Sequence, residues 1–426
     1  MGVVTVAFYS IDGGVRLHGD VPISGAKNAA LPAVVAAALA SDGESVIENV
    51  PQHTDVLDLL AILEELGVQA AFTGPKTLSI AASELRNHRA PYAPASRLRA
   101  STYIAGLLLA RLGRAEVALP GGDDIGARPV DFHLRGLRAL GADVGVVHGA
   151  IEGEARQGLQ GAQFFVDRQS VGTTCNLMIA ASLAQGTTVL QNAAREPEVV
   201  DLANLLNAMG GRVLGAGTGS IRIEGVAALH GARHEIIPDR IEAGTFLLAA
   251  AATGGRVTVH AVIPEHLQAL LEKLRMCGIR VRRTADAVTV DAPARLRALD
   301  ARTEPYPGFP TDLQPQIVAV LARADGVSVI EETVFENRLG YTNDLVRLGA
   351  EIRIIGQNTA IVTGVETLSG APVEAVDIRA GAALIIAGLA ADGRTEVAGV
   401  RHIARGYEDL EGKLRHLGAH ISLVDA

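Results

Sequence analysis

Hydrophobic and polar positions along the chain follow a pattern that recurs six times. Each copy contains a stretch with apolar residues at helical spacing, such as residues 55–66, which ends in a hydrophobic residue and a glycine. A glycine just after a helix can take the left-handed backbone conformation that closes the last turn. We therefore predict a helix end about every 70 residues, the signature of an internally repeated fold. The six pairs are Leu66-Gly67, Leu140-Gly141, Met209-Gly210, Cys277-Gly278, Leu348-Gly349 and Leu417-Gly418.

Every copy also shares an order of elements. A polar residue opens an alanine-rich helix, and a short strand, a loop, the amphipathic helix and a β-prone stretch follow. Helices such as residues 380–390 are apolar nearly all round, which is typical of a helix buried on every side. The opening residues are Lys27, Arg99, Ser170, Asp239, Asp312 and Arg379. The predicted short strands are 45–47, 115–118, 188–190, 256–259, 328–330 and 395–397.

Six βαβ-type units with buried helices predict an α/β fold. Domains of about 200 residues are common, so the six units divide naturally into two domains of three. The expected break lies near residues 235–238, between the third and fourth units.

Composition narrows the class of protein. With 48% hydrophobic and 20% charged residues, the 426-residue chain can bury a large core. A net charge of −9 disfavours nucleic acid as a partner. The longest apolar helical stretch, residues 29–40, is well short of the ~20 residues that cross a bilayer. Cys175 and Cys277 have no partner at metal-ligand spacing, so we expect no metal site. Two cysteines are too few for a disulfide framework, which fits the cytoplasm, and the short apolar stretch gives no reason to expect a membrane partner.

A glycine-rich loop combines groups for proton transfer and anion binding. It reads Leu119-Pro-Gly-Gly-Asp-Asp-Ile-Gly-Ala-Arg-Pro-Val-Asp131. Its carboxylates can transfer protons, and Arg128 can bind a phosphate or carboxylate through two parallel hydrogen bonds. The loop suggests catalysis on an acidic substrate; the alternative is a surface turn before a helix that starts at a proline.

Cations recur at two places in the repeats, the starts of first helices and the loops after the short strands. If these ends face one cleft, cations and helix N-termini together would bind phosphates and carboxylates. The alternative is that each cation caps a neighbouring unit or forms a surface ion pair. The cations are Lys27, Arg99, Arg128, Arg338, Arg379 and Arg405.

Two carboxylates are candidates for proton transfer. Asp312 is either a simple N-cap or a general base that takes a proton from a hydroxyl group. Asp123, in the glycine loop, could protonate a substrate carbon or oxygen if its pKa is raised.

Several motifs, in order, resemble the enolpyruvyl transferase family, and within it the UDP-N-acetylglucosamine 1-carboxyvinyltransferases. The likeness runs from about residue 13 to residue 423. It implies a two-domain inside-out α/β barrel, with three units in residues 21–237 and three in residues 1–20 plus 238–426. The motifs are Gly25-Ala-Lys-Asn-Ala-Ala30, Pro120-Gly-Gly-Asp-Asp-Ile-Gly-Ala-Arg-Pro-Val-Asp131, Asn192-Ala-Ala-Arg-Glu-Pro-Glu198, Phe309-Pro-Thr-Asp-Leu-Gln314, Val334-Phe-Glu-Asn-Arg338 and Ala404-Arg-Gly-Tyr407.

The resemblance implies transfer of the enolpyruvyl group of phosphoenolpyruvate to the 3-hydroxyl of UDP-N-acetylglucosamine, which opens peptidoglycan precursor synthesis. It requires no metal or organic cofactor and suits a monomer or weak homo-oligomer. The catalytic residues would be Asp123, Asp312, Lys27 and Arg405. Phosphoenolpyruvate would be held by Lys27, Asn28, Arg128, Arg338, Arg379 and Arg405. The nucleotide sugar would be held by Asn28, Arg99, Arg128, Pro129, Val130, Asp131, Phe132, Arg168, Gln169, Ser170, Val171, Asp312 and Val334.

Three positions depart from the usual family pattern. Asp123 stands where most relatives carry a cysteine that fosfomycin alkylates, so we expect activity with fosfomycin resistance. Arg168-Gln-Ser-Val171 and Leu339-Gly-Tyr-Thr342 change the uridine-side and acceptor-side stretches. Alternatives are a paralogue acting on a nucleoside or shikimate 3-phosphate, and an inactive UDP-sugar-binding regulator.

Overall fold

The computed structural model describes residues 7–121 and 130–425, and these fall into two compact units. The N-terminal unit comprises residues 25–121 and 130–237. The C-terminal unit comprises residues 7–24 and 238–425. Each unit has its own hydrophobic core.

Helices and strands alternate along both units. The α-helices are α1 (Lys27–Ala37), α2 (Thr54–Glu65), α3 (Tyr92–Arg97), α4 (Ser101–Leu112), α5 (Asp131–Ala139), α6 (Val171–Ala181), α7 (Pro197–Ala208), α8 (Arg240–Ala252), α9 (Gln268–Met276), α10 (Gln314–Leu321), α11 (Thr342–Arg347), α12 (Ile378–Ala390), α13 (Val400–Ile403) and α14 (Leu410–His416). Short 3₁₀ helices cover Pro264–Leu267, Thr311–Leu313 and Arg338–Tyr341.

The strands are mostly three to five residues long. They are β1 (Phe8–Asp12), β2 (His18–Pro22), β3 (Ala40–Asp42), β4 (Ser45–Glu48), β5 (Gln69–Phe72), β6 (Leu78–Ala81), β7 (Arg114–Ala118), β8 (Asp143–Val147), β9 (Ala150–Glu154), β10 (Gln163–Phe165), β11 (Thr187–Gln191), β12 (Arg212–Leu214), β13 (Ser220–Glu224), β14 (Leu229–His230), β15 (Arg233–Glu235), β16 (Arg256–His260), β17 (Arg280–Arg283), β18 (Ala287–Asp291), β19 (Ala301–Arg302), β20 (Val327–Glu331), β21 (Glu351–Ile355), β22 (Thr359–Thr363), β23 (Pro372–Glu374), β24 (Arg394–Ala398) and β25 (His420–Val424).

Three apolar helices pack together in the N-terminal unit. Helices α1, α4 and α6 contact one another, and most of their residues are buried. A helix without a polar face has to be covered on all sides. The strands that follow these helices along the chain form the sheets of this unit. The sheets have strand orders β15-β4-β6-β5, β7-β9-β8 and β10-β11-β13-β12, with a separate β14–β3 pair.

The C-terminal unit repeats this plan with α8, α10 and α12, which also contact one another. All thirteen residues of α12 are buried. The sheets have strand orders β17-β18-β16-β2, β19-β20-β22-β21 and β23-β24-β1-β25. The first strands of the chain therefore complete two sheets of this unit: β1 lies antiparallel between β24 and β25, and β2 lies parallel to β16.

The repeat pattern predicted from the sequence is confirmed at the level of helices and strands. All six glycines that follow the amphipathic helices have φ between 88° and 97°. At Gly67 an added Cβ would also lie 2.5 Å from the carbonyl oxygen of Glu84, so both the backbone conformation and the space require glycine. The six predicted short strands correspond to β4, β7, β11, β16, β20 and β24. Within the described residues, no helix is long and apolar enough to cross a membrane.

Candidate functional site

Asp312 forms the centre of a charged cluster in the C-terminal unit. Its Oδ1 accepts a hydrogen bond from Nη2 of Arg338 at 3.3 Å, and its Oδ2 accepts one from Nη2 of Arg379 at 3.0 Å. The Arg338 and Arg379 side chains are 2% and 6% exposed, whereas that of Asp312 is 27% exposed. The Asp312 carboxylate is therefore partly exposed to solvent, whereas the two cations that it contacts are buried.

The electrostatics of this cluster keep Asp312 and Arg379 ionised. Burial alone would raise the pKa of Asp312, but Arg379 and Arg338 outweigh it and hold that pKa well below its ordinary range. Burial likewise disfavours the Arg379 cation, and Asp312 more than compensates, so the pKa of Arg379 is raised. At neutral pH the site presents two guanidinium groups and one carboxylate.

Two alternatives from the sequence are wrong here. Asp312 is not an N-cap, because it lies inside the 3₁₀ helix Thr311–Leu313 and the residue preceding α10 is Leu313. Its carboxylate accepts from guanidinium groups instead. Nor are Arg338 and Arg379 surface ion pairs, since both side chains are buried.

Two 3₁₀ helices and the first turn of one α-helix bring these side chains together. Arg338 begins the 3₁₀ helix that follows β20, and Arg379 lies in the first turn of α12. Asp377 caps α12, with Oδ1 accepting from the backbone nitrogens of Arg379 at 2.7 Å and Ala380 at 2.9 Å. The sequence pattern named Arg379 as the residue that opens this helix, but the cap itself is Asp377.

Tyr407 contacts the cluster through its ring and through its hydroxyl group. The Arg379 guanidinium carbon lies 5.5 Å from the centre of the Tyr407 ring. The Tyr407 hydroxyl lies 3.0 Å from Oγ1 of Thr245 and accepts from Nε2 of Gln316 at 3.3 Å. Gln316 also donates to the backbone oxygen of Asp312 at 2.9 Å. One network therefore holds both members of the Asp312–Arg379 pair.

The segment that carries Arg405 lies against the same guanidinium. A Cβ added at Gly406 would be 3.5 Å from Nη1 of Arg379. Arg405 itself is half-buried in the middle of the short turn after α13. The motif Ala404-Arg-Gly-Tyr407 pointed to this segment, but sequence reasoning gave Tyr407 no role.

In the N-terminal unit, Lys27 is paired with Asp55. Nζ of Lys27, the first residue of α1, lies 2.7 Å from Oδ2 of Asp55, and both side chains are buried. A cation at a helix N-terminus opposes the helix dipole, so Asp55 compensates for that unfavourable position. Sequence reasoning missed Asp55, although an acid in the first turn of the neighbouring helix α2 was a usable signal. Asn28 follows Lys27 and is half-buried.

Two stretches predicted to bind the nucleotide sugar lie close together. Val130 precedes α5, and Asp131 and Phe132 are the first two residues of that helix. Ser170 caps α6, with its Oγ accepting from the Thr173 nitrogen at 3.2 Å. Nδ2 of Asn176 in α6 and Nδ1 of His133 in α5 are 3.0 Å apart. Val171 begins α6.

Arg99 belongs to the same neighbourhood. It lies two residues before α4 rather than at its first residue, and its charge acts on His133. Burial and the Arg99 charge lower the pKa of His133 to about 3, so that ring is neutral. On the other stretch, Arg168 is exposed, and Gln169 donates to the Ala193 oxygen at 3.5 Å.

The structure therefore groups the predicted residues into two sets, one in each unit. The C-terminal set is Asp312, Arg338, Arg379 and the segment with Arg405, with Val334 on the loop before Arg338. The N-terminal set is Lys27 and Asn28 on α1, and Arg99 with the starts of α5 and α6. Asp123, Arg128 and Pro129 lie outside the described residues. Across residues 7–121 and 130–425, no three His, Cys, Asp or Glu side chains are arranged to hold a metal ion.

Comparisons with known proteins define the class first. The chain is similar to the crystal structure of the enolpyruvyl transferase NikO from Streptomyces tendae, with a TM-score of 0.89, 27% identity, and 99% and 100% of the two chains covered. Residues 11–414 match the sequence model of the family described as EPSP synthase (3-phosphoshikimate 1-carboxyvinyltransferase). The fold and the site therefore define an enolpyruvyl transferase.

Closer relatives narrow that class. A UDP-N-acetylglucosamine 1-carboxyvinyltransferase 2 from Symbiobacterium thermophilum is 58% identical, with 98% of each chain covered. A UDP-N-acetylglucosamine 1-carboxyvinyltransferase from Gloeobacter violaceus is 51% identical, with 98% of this chain and 91% of the relative covered. The chain belongs to the family of the UDP-N-acetylglucosamine 1-carboxyvinyltransferases.

Proposed function

We propose that this protein transfers the enolpyruvyl group of phosphoenolpyruvate to the 3-hydroxyl of UDP-N-acetylglucosamine, with release of phosphate. One observation carries the proposal: an ionised carboxylate, Asp312, is held between the buried guanidinium groups of Arg338 and Arg379. The pair of cations suits a substrate with a phosphate and a carboxylate, and the carboxylate suits removal of a hydroxyl proton. The names of the relatives support the choice of acceptor. In a cell the reaction would be the first committed step of peptidoglycan precursor synthesis.

The proposed roles follow the two sets of residues. The phosphoenolpyruvate ligands would be Lys27, Asn28, Arg128, Arg338, Arg379 and Arg405. The nucleotide sugar would be held by Asn28, Arg99, Arg128 to Phe132, Arg168 to Val171, Asp312 and Val334. Asp123, Asp312, Lys27 and Arg405 would take part in the chemistry.

The lowered pKa of Asp312 has a consequence for the order of events. While both guanidinium groups contact it, Asp312 is ionised but a weak base. If the anionic groups of phosphoenolpyruvate take over Arg338 and Arg379, the field on Asp312 weakens and its pKa rises. Asp312 then becomes a stronger base only when the donor substrate is in place.

The proposed reaction has two stages, an addition and an elimination. In the addition, the sugar oxygen bonds to C2 of phosphoenolpyruvate, its proton passes to Asp312, and the methylene carbon takes a proton from Asp123. In the elimination, the bond from C2 to the phosphate oxygen breaks, the new methyl group returns a proton to Asp123, and the double bond is restored. The departing phosphate takes the proton held by Asp312, so both carboxyl groups regain their starting states. Lys27 and the arginines offset the charge of the departing phosphate.

Phosphate release tests this proposal directly. Purified protein is given phosphoenolpyruvate with UDP-N-acetylglucosamine, UMP or shikimate 3-phosphate, and phosphate is measured over time. We expect turnover with the nucleotide sugar alone. Turnover with UMP or shikimate 3-phosphate instead would refute the proposed acceptor, and saturable UDP-sugar binding without any turnover would indicate a regulator.

We further propose that the enzyme is insensitive to fosfomycin. Asp123 replaces the cysteine that the drug alkylates in most relatives, and a carboxylate is a much weaker nucleophile than a thiolate. The chain has two cysteines, both buried. Burial raises the pKa of Cys175 and raises that of Cys277 to about 12, so neither thiol is poised to react. Intact-protein mass spectrometry should find no drug adduct, whereas Asp123→Cys should gain one and lose activity; an adduct on the parent protein would refute the inference.

We infer that residues 21–237 and residues 1–20 plus 238–426 are the two domains of an inside-out α/β barrel. The apolar helices α1, α4 and α6 in one unit and α8, α10 and α12 in the other support it. We expect a cytoplasmic protein that is a monomer or a weak homo-oligomer. Sedimentation of the purified protein would test the oligomeric state.

A further inference from the structure

Glu332 is a buried carboxylate that directly follows β20. The residue is 2% exposed, and both of its carboxylate oxygens accept hydrogen bonds. Oε1 accepts from Oγ1 of Thr303 at 2.9 Å and from the backbone nitrogens of Val334 at 2.8 Å and Phe335 at 3.2 Å. Oε2 accepts from Oγ1 of Thr311 at 2.9 Å.

All four donors are neutral, and they come from three separate segments of the C-terminal unit. Thr303 directly follows β19, Thr311 begins the 3₁₀ helix, and Val334 and Phe335 belong to the loop after β20. The backbone nitrogen of Thr333 also donates to Oγ1 of Thr303 at 2.9 Å, which ties the same loop to the same threonine. Glu332 therefore connects three segments that do not belong to one helix or one strand.

These contacts close a ring with the charged cluster. Thr311 is the residue before Asp312, so one bond of Glu332 fixes the turn that carries the base. The bonds to Val334 and Phe335 fix the loop that leads to Arg338, whose guanidinium lies 5.7 Å from the centre of the Phe335 ring. Arg338 then donates to Asp312 and completes the ring.

The convergence of these hydrogen bonds makes the arrangement stiff. Three of the four meet on one oxygen atom, Oε1 of Glu332. A shift of about 1 Å in a catalytic group can cost about 100-fold in rate, so a fixed distance between the base and a substrate-binding loop has kinetic value.

We propose that Glu332 is a positioning residue for the acceptor substrate: it fixes the Val334 loop relative to the Asp312 turn, so that the acceptor hydroxyl meets its base. The inference rests on the proposed function of the same site. Glu332 does not contact the reacting atoms and acts through Asp312 and Val334.

Thr311→Val is the sharpest test, because it removes one hydroxyl and keeps the shape of the side chain. It breaks the bond between Glu332 and the Asp312 turn while leaving both carboxylates in place. We expect kcat/KM for UDP-N-acetylglucosamine to fall about tenfold while KM for phosphoenolpyruvate stays within about twofold. Thr258→Val is the matched control, since Thr258 is also half-buried and loses a 2.9 Å hydroxyl contact with Thr289 between two strands of another sheet in the same unit.

Two variants of Glu332 itself separate positioning from folding. Glu332→Gln keeps an amide oxygen for Thr303, Val334 and Phe335, and its amide nitrogen can donate to the Thr311 hydroxyl. It should retain acceptor kinetics close to the parent, whereas Glu332→Ala should lose about 100-fold in kcat/KM for the acceptor. Equal losses toward both substrates in Thr311→Val, or a Thr311→Val enzyme that matches Thr258→Val in acceptor kinetics, would overturn the inference.

Failure of the proposed function would look different. It would appear in the parent enzyme as absence of turnover with UDP-N-acetylglucosamine. The comparison of Thr311→Val with Thr258→Val would then be made with UMP or shikimate 3-phosphate, whichever is turned over, or by calorimetric binding of UDP-N-acetylglucosamine if neither is. A selective loss in Thr311→Val supports the role of Glu332 in each case, and the lack of one refutes it.

Discussion

Replacing Asp312 by asparagine should expose the cost of holding two cations in the interior. The change removes the carboxylate that lies between Arg338 and Arg379 and leaves a neutral amide with one acceptor oxygen in place of two. Among the described residues, Nε of Arg338 and Nη1 of Arg379 already have no hydrogen-bond acceptor, so little else is available to compensate for the lost charge.

The magnitude follows from burial. Removing one partner of a fully buried ion pair costs about 3–5 kcal/mol. The Asp312 side chain is 27% exposed, and we reduce the estimate to about 2–3 kcal/mol because solvent screens part of the interaction. For a unit of this size that corresponds to a fall in Tm of about 5–10 °C.

An anion should reverse much of this loss. Phosphate bound by the two guanidinium groups takes the place of the missing carboxylate, and a ligand at 100 times its Kd stabilises the native state by about 2.7 kcal/mol. Phosphate should therefore raise the Tm of Asp312→Asn more than that of the parent. If Asp312 is also the general base, kcat falls about 10²- to 10⁴-fold in the variant.

The assay is thermal denaturation in phosphate and in chloride at matched ionic strength, with phosphate-release kinetics on the same samples. Asp12→Asn is the control, because Asp12 forms an exposed 3.0 Å pair with Arg394 in the same unit and should show neither effect. An unchanged Tm with no added response to phosphate would refute the counterion role of Asp312. Retention of kcat would refute its role as base.

Three further predictions concern buried charge and the support beneath it. Burial, opposed by Lys413, raises the pKa of Glu242 to about 7. Because the folded state then binds a proton that the unfolded state has released, Glu242 should make stability fall as pH rises from about 4.5 to 7, and thermal melts of Glu242→Gln should lack that component. Asp55→Asn should lower kcat/KM for phosphoenolpyruvate about tenfold by displacing Lys27, while KM for the acceptor changes little; an unchanged value in steady-state kinetics would refute this. Tyr407→Phe keeps the ring next to the guanidinium and should lower the free energy of unfolding in urea by only about 1 kcal/mol. Tyr407→Leu removes the ring and should also raise KM for phosphoenolpyruvate. Equal kinetics in the two variants would argue against a supporting role of the ring.

Local pattern was enough to predict the repeated elements. The spacing of apolar residues and the glycine after each amphipathic helix are properties of short stretches, and they predicted both the helix ends and the short strands. The nearly uniform apolar character of α12 likewise predicted its burial. These inferences succeed because they depend on periodicity and on backbone conformation, which neighbouring residues determine.

Partner choice could not be predicted in the same way. Asp312 and Arg379 are 67 residues apart in sequence and meet only because α10 and α12 pack side by side. The family resemblance named both residues, but nothing in the chain indicated that they pair or that their pairing lowers the pKa of the base. Glu332 and Tyr407 escaped notice for a related reason, since their importance lies in contacts between segments.

The placement of β1 has a consequence for how the chain is made. In its sheet, Phe8 is the cross-strand partner of Val424, so a strand from the beginning of the chain is completed by one from the end. During translation, residues 25–237 are a contiguous stretch that can fold early, while β2 must wait for β16 and β1 must wait for the much later strands β24 and β25. Phe8 and Val424 lie side by side on neighbouring strands, so a linker can be designed between these two strands and the chain opened between residues 237 and 238. In that permuted order each unit becomes a continuous stretch of polypeptide, and each can finish folding as soon as it is synthesised.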